Sequence, residues 1–142
     1  RHLLDYSKTV ESGTGADQAD LVWSDKRTTV AGTPDDLDVR GVLGTALNLT
    51  INFVKITGIV IRNKSTTAGQ VLTIGGDANG VFTNLFGAVT ERIRVQPGGC
   101  FAIYSPNASD AISTVAATGD IIQVDGGANA IEYEIVILGR TS

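Results

Sequence analysis

The chain has 142 residues, of which 42% are hydrophobic and 18% are charged. This length and composition predict one globular domain with a buried core and fewer surface charges than average. The formal net charge is −4, and residues 1–38 hold eight of the fifteen acidic residues but only four of the eleven basic ones. This acidic excess argues against a nucleic-acid-binding surface in that region. Lys55 and Arg62 bracket the longest apolar stretch, so no membrane-spanning segment is predicted.

Residues 1–20 are predicted to form an extended N-terminal arm, with residues 21–142 forming the folded body. The arm carries four apolar anchors, Leu3, Leu4, Tyr6 and Val10, followed by a stretch rich in glycine and small polar residues. Such a stretch does not hold regular structure alone and is typical of a flexible hinge. A segment of this kind can order on a partner by adding a strand to an exposed sheet edge. The alternative is a frayed terminus that makes no contact.

The body begins with two short predicted strands, Leu21–Trp23 and Thr28–Ala31, on either side of a charged turn at Ser24–Arg27. Leu21 and Trp23 are the predicted seam between copies of the chain. For Trp23 two interpretations stay open, a lid on the core and an anchor in a protein–protein contact.

The stretch Lys55–Asn63 is predicted to be a strand in the interior of a sheet, paired on both sides. Its short apolar run is rich in β-branched residues and is bounded by charges. Residues 47–53 alternate between apolar and polar side chains, which indicates a half-buried strand before it. Residues 71–74 resume the apolar pattern after a turn. These three consecutive strands are predicted to form the core sheet.

In the C-terminal half, Phe82 and Phe86 are predicted to pack inward from one turn of helix, and Ile93 and Val95 to lie on a strand. After the Pro97–Gly99 turn, residues 100–104 are predicted to form a strand with Cys100 as a small buried hydrophobe. Residues 121–124 and 131–137 are predicted to form a final hairpin. About eight short strands with close turns predict an all-β fold, a single-domain β-sandwich or jelly roll with an extended N-terminal arm.

The sequence offers little catalytic chemistry. The single histidine, His2, lies in the predicted arm, so nothing is expected to hold it beside a nucleophile. We therefore expect no enzymatic activity and no cofactor. Carboxylates suited to a hard cation occur at Asp35, Asp36 and Asp38, and again at Asp77. Turn-forming carboxylates are the stronger interpretation, and an irregular calcium site remains the alternative.

The chain contains a strand and turn beginning at Lys55–Asn63, the Gly75–Gly76 pair, the stretch Val95–Phe101 with its Gln96–Gly99 turn, and a closing strand from Tyr133 to Gly139. These segments resemble small accessory proteins of tailed-bacteriophage virions. The resemblance covers roughly residues 37–139 and rests on strand and turn patterns. It implies a non-catalytic decoration or cement protein that binds the outer surface of a capsid, often as a trimer.

On this basis the expected partners are the major capsid protein of the same virion and further copies of the chain, with no nucleic acid and no membrane. The expected location is the capsid surface, after assembly in the host cytoplasm. The alternative function is a carbohydrate-binding β-sandwich on a tail or fibre. Such a module should cluster aromatic residues on exposed loops, yet the chain holds only one Trp, three Tyr and four Phe.

Overall fold

A computed structural model describes Ser7 and residues 9–44, 50–107 and 111–142. The described part contains eleven strands and one helical turn. The strands are β1 (Leu21–Thr28), β2 (Asp35–Asp38), β3 (Arg40–Gly44), β4 (Thr50–Asn52), β5 (Lys55–Asn63), β6 (Leu72–Ile74), β7 (Ile93–Val95), β8 (Cys100–Tyr104), β9 (Ile112–Ser113), β10 (Ile121–Asp125) and β11 (Glu132–Arg140); the helical turn is α1 (Thr83–Phe86).

Two antiparallel sheets enclose the core, which confirms the predicted all-β, jelly-roll-like sandwich. The front sheet has the order β1-β11-β5-β8, with β9 also pairing with β5. The back sheet has the order β2-β10-β6-β7, and β3 and β4 form a separate pair. Buried side chains of both sheets belong to a single hydrophobic cluster.

The interior position predicted for β5 is confirmed. It pairs with β11 on one side and with β8 and β9 on the other. Ile59 and Ile61 are fully buried, and Val60 between them is exposed. This alternation is what a pleated strand requires when one of its faces covers the core.

The predicted core sheet and final hairpin are wrong, because β6 and β10 both lie in the back sheet. β10 lies between β2 and β6, whereas β11 lies between β1 and β5. The chain therefore crosses from one sheet to the other between β10 and β11. Apolar periodicity indicates which residues are buried but not which of two facing sheets a strand joins.

The charged turn predicted at Ser24–Arg27 is wrong as well, since β1 runs unbroken through it. Each of its residues pairs with β11 in antiparallel register. Lys26 projects to solvent from this edge strand and forms an ion pair with Glu132, with 2.9 Å between Nζ and Oε2. Strand pairing thus overrides the local turn preference of a polar sequence.

The helical turn at the Phe82–Phe86 segment is confirmed. The two rings stack with their centroids 5.3 Å apart, and Phe82 is buried while Phe86 is half-buried. Gly87 follows in the left-handed region with φ of 87° and donates its N–H to the Thr83 carbonyl, which ends the turn.

Asn63 ties the two sheets together at the end of β5. Its side chain is fully buried, and Nδ2 donates to the carbonyls of Gln70 at 2.8 Å and Val95 at 3.1 Å. Its Oδ1 accepts from the Ser65 N–H at 3.0 Å. The bonds with Gln70 and Ser65 hold the loop between β5 and β6. The bond to Val95 joins the end of β5 to edge strand β7 of the back sheet.

Candidate interaction surface

The outer face of the front sheet carries an exposed apolar patch. In the β-sheet register, Val136 lies opposite both Ser24 and Val60, and Leu138 lies opposite Val22. Val22 is 62% exposed and Val60 is 39% exposed, while Val136 and Leu138 are half-buried. We call Val22, Val60, Val136 and Leu138 the apolar face. These positions point away from the core, where an antiparallel sheet open to water usually places polar residues.

A row of ion pairs borders the apolar face on one side. Lys64 Nζ lies 3.0 Å from Glu134 Oε1, and Arg62 Nη1 lies 3.8 Å from Glu134 Oε2. The hydrogen bond from Lys64 holds the pKa of the Glu134 carboxyl below its ordinary value. In the ion pair of Lys26 with Glu132, the hydrogen bond raises the pKa of the Lys26 ammonium above its ordinary value. This charged border and the apolar face together resemble the apolar centre and polar rim of a protein–protein contact.

The described residues of the predicted arm and seam do not form one exposed surface. Leu3, Leu4 and Tyr6 lie outside the described residues, and Val10 and Leu21 are half-buried. Trp23 is only 5% exposed and belongs to the core cluster, and its indole Nε1–H donates to the Gly44 carbonyl at 3.1 Å. The interpretation as an exposed seam anchor is therefore corrected for Trp23, because its ring is already packed inside the monomer.

The second half of the predicted arm packs on the body. Glu11 and Gln18 form a parallel bridge, and the Asp17 N–H donates to the Pro106 carbonyl at 3.1 Å. Arg140, fully buried at the end of β11, donates from Nε to the Gln18 carbonyl at 2.8 Å and from Nη2 to the Pro106 carbonyl. We call residues 11–20 the docked loop. The flexible hinge expected from its composition is held by a guanidinium 122 residues away along the chain.

The carboxylates considered for a cation are engaged in other bonds. Asp35 accepts from Arg27 Nε at 2.7 Å and from the Tyr133 hydroxyl at 2.7 Å. Asp36 accepts from Gln123 Nε2, and Asp38 and Asp77 accept from backbone N–H groups two residues onward. Within the described ranges no group of three or more potential metal ligands gathers. The turn and ion-pair roles account for the acidic clusters there.

Cys100 is exposed rather than buried, so that prediction is wrong. It occupies an outward-pointing position on β8, beside Arg62 in the sheet register. Alternation places Phe101 and Ile103 on the inner side, where both pack against the core. Its turn context predicted the strand correctly but not the face.

The aromatic residues do not form the platform that the carbohydrate-binding alternative requires. Trp23, Phe53, Phe82 and Tyr133 are buried, and the remaining aromatic residues of the described part are half-buried. None of the helical structure in the described ranges has the length and apolarity needed to cross a bilayer.

The apolar face is the feature that sequence reasoning missed. Its signal was the loss of polar alternation at Val60, Val136 and Leu138.

Comparison with known proteins identified no matching family model and no matching curated protein. Two solved structures are similar at low identity. One is a de novo designed double-stranded β-helix, 14% identical, with a TM-score of 0.40, covering 81% of this chain and 97% of the designed one. The other is a Bacillus endospore appendage from a family of disulfide-linked pili, 17% identical, with a TM-score of 0.42 and full coverage of both chains.

Proposed function

We propose that this chain is a structural virion protein of a tailed phage, which binds the outer capsid surface and stabilises the capsid. The observation that carries the proposal is the apolar face with its charged border. Contiguous exposed apolar surface rimmed by polar residues marks protein–protein contacts. The resemblance over residues 37–139 supplies the class of partner, the major capsid protein.

The apolar face suits a flat protein surface better than a small ligand. Val22, Val60, Val136 and Leu138 lie on neighbouring strands of one sheet, so they present a broad surface instead of a cleft. Small-molecule sites are concave and bury most of their ligand. A sheet face of this kind offers apolar contact at its centre and ion pairs at its border, and the border limits where a partner can dock.

Co-sedimentation with expanded capsids, assembled from the major capsid protein of the same virion, tests the proposal. We expect Val60→Glu to reduce capsid binding at least tenfold, because a carboxylate in the centre of the apolar face would be desolvated without a partner. Val30→Glu is the matched control, since Val30 is 65% exposed and lies outside the apolar face. The proposal is wrong if Val60→Glu binds capsids as tightly as the parent chain.

The arm hypothesis is tested in the same assay. Removal of residues 1–8 deletes Leu3, Leu4 and Tyr6 but keeps the docked loop. If those anchors contribute, the shortened chain binds less tightly and its remaining affinity is still lost with Val60→Glu. Unchanged binding by the shortened chain would assign attachment to the apolar face alone.

A further inference from the structure

One edge of the front sheet, strand β8, lacks a strand partner within the described residues. The Ser105 N–H donates to the Thr57 carbonyl at 2.7 Å, and the Asn63 N–H donates to the Gly99 carbonyl at 3.0 Å. In antiparallel pairing, hydrogen-bonded pairs recur every second residue. These two bonds therefore direct the backbone groups of Phe101 and Ile103 toward β5. The N–H and C=O groups of Cys100 and Ala102 point away from the sheet, and no described residue bonds them.

This edge differs in its charge from the other outer strands of the two main sheets, β1, β2 and β7. The outer strand β1 carries Asp25, Lys26 and Arg27, and β2 carries Asp35, Asp36 and Asp38. Strand β7 has only three residues and includes Arg94. Charged side chains and short length are the usual devices that stop edge strands from pairing. The five residues of β8, Cys100–Tyr104, contain no charge and no proline.

We propose that β8 pairs antiparallel with β8 of a second copy of this chain, across a two-fold axis at Phe101. This register sets Cys100 opposite Ala102 of the second copy, and Ala102 opposite its Cys100. The two pairs exchange four backbone hydrogen bonds, which satisfy the groups that point away from β5. Phe101 of each copy meets its equivalent on the inner side, where its half-buried ring gains cover.

Charge favours a second copy as the partner of β8. Self-pairing of β2 would set three aspartates of each copy along one seam, whereas β8 brings no charged residue of its own to the contact. The nearest cation beside β8 on the outer face, Arg62, lies one strand inside the edge. Strands β5 of the two copies would stand three strand spacings apart, about 14 Å. That separation exceeds the Debye length at ordinary salt, so the two arginines scarcely repel.

The outer surfaces of the two copies also match. Val136, Val60 and Ala102 lie in one row across the front sheet, ending at the edge strand. Pairing through β8 brings the two rows side by side near the axis and makes one continuous sheet. The contact is isologous and predicts dimers, in place of the trimer that the resemblance implies.

Sedimentation equilibrium over a range of micromolar concentrations tests the proposal with the whole chain. We expect a monomer–dimer equilibrium for the parent chain. Ala102→Pro removes the N–H that would bond the second copy but no bond to β5, and proline is tolerated on edge strands. We expect this variant to sediment as a monomer with an unchanged circular dichroism spectrum. Should proline prevent folding, Ala102→Lys keeps the backbone and introduces charge at the axis, and it too should be monomeric.

A disulfide provides a positive test of the register. Ala102→Cys would stand opposite the native Cys100 of the second copy, at the roughly 5.5 Å Cα separation of hydrogen-bonded pairs, which a disulfide can span. Mild oxidation should give a covalent dimer whose peptide map joins positions 100 and 102. The control Ala130→Cys, an exposed alanine outside β8, should not give this product. A parent chain that is monomeric throughout, or an oligomer that Ala102→Pro leaves intact, overturns the proposal.

Discussion

At the level of single residues, Asp35 joins the two sheets at one end of the sandwich. Its carboxylate on β2 accepts from both Arg27 Nε and Nη2 on β1, at 2.7 and 3.0 Å, and from the Tyr133 hydroxyl on β11 at 2.7 Å. Burial alone would raise the pKa of Asp35, but the hydrogen bonds from Arg27 and Tyr133 outweigh it and hold the pKa below its ordinary value. The ionised form is therefore the one that the fold stabilises.

Asp35→Asn should lower the free energy of unfolding by about 2 kcal/mol at neutral pH, because the Arg27 guanidinium loses its charge-assisted bonds. The depressed pKa stabilises the parent chain above the unfolded-state value near 3.9, and that contribution is lost as pH falls through the folded-state pKa. Urea unfolding from about pH 7 to pH 2 should show a shallower acid decline for the variant. Asp36→Asn, at an exposed neighbour, is the control. Equal acid slopes for Asp35→Asn and the parent chain would contradict the prediction.

Tyr133 predicts the opposite dependence at high pH. Burial of its ring, with the hydrogen bond to the ionised Asp35, raises the pKa of the hydroxyl far above its ordinary value. The unfolded state thus ionises first, and stability falls as pH rises above about 10. Tyr133→Phe should cost about 1 kcal/mol at neutral pH and remove this part of the alkaline decline. An alkaline slope unchanged by the substitution would show that Tyr133 does not cause it.

The cluster of Arg27, Asp35 and Tyr133 was only partly predictable from the sequence. The aspartates at 35, 36 and 38 indicated a turn or a cation site, because carboxylates close together in sequence have few other local explanations. The local sequence places Arg27 in a predicted turn, and no local pattern links it to Asp35 or to Tyr133. The link exists because β1 is a full strand that pairs with β11, and Arg27 reaches from it to Asp35 on β2 of the facing sheet; this is a long-range property.

At the level of elements, a bulge in β5 at Thr57 fixes how the front sheet ends, because Leu138 pairs with Gly58 but Gly139 pairs with Ile56. The register with β5 shifts between Leu138 and Gly139. A side chain at Gly139 would meet the Lys55 carbonyl oxygen and the Phe53 ring. The backbone oxygen cannot move aside without breaking the strand pairing, so only glycine fits this close approach.

Gly139→Ala should therefore destabilise the fold by about 2 kcal/mol or more, through overpacking at the bulge. Chemical denaturation gives the free energy of unfolding directly. Gly44→Ala is a matched control, because a side chain there meets nothing within 4 Å. Its stability should be unchanged or slightly raised by the lower entropy of the unfolded chain. A loss at Gly139 no larger than that at Gly44 would refute the account of the bulge.

Strand patterns revealed most of the elements but not their partners. The position of β5 followed from its apolar run and bounding charges, and the helical turn at Phe82–Phe86 from its two aromatic residues. The positions of β6 and β10 did not follow, since both sheets of a sandwich present the same alternation to the core. The sequence of β8 shows that the strand carries no charge. This absence indicates a pairing edge only once the structure places β8 at the edge of its sheet.

At the level of the whole molecule, the chain's two ends are joined through Arg140. Its side chain is fully buried and donates to carbonyls of the docked loop and of the segment after β8. The neighbouring Thr141 donates from its N–H to Asp20 Oδ1 at 2.9 Å. Composition predicted residues 1–20 as an arm separate from the body, because glycine-rich segments lack local structure. It could not reveal that a guanidinium at the far end of the chain supplies the missing contacts.

Two truncations should therefore behave differently. Removing residues 1–8 breaks no hydrogen bond between described residues, and we expect the free energy of unfolding to stay within about 0.5 kcal/mol of the parent value. Removing residues 1–20 takes away the Gln18 acceptor and leaves the Arg140 guanidinium short of partners. That truncation should cost about 2–3 kcal/mol, the range expected when a charged donor loses its acceptor. Urea denaturation of the two shortened chains measures the difference.

A double-mutant cycle separates the role of Arg140 from a general loss of cover. Arg140→Met keeps an apolar stem of similar reach but has no donor to satisfy. If the guanidinium links the docked loop to β11, this substitution and the removal of residues 1–20 act on the same bonds, and their costs should fall short of additive by about 1 kcal/mol or more. Strict additivity would mean that the docked loop stabilises the body by some other contact.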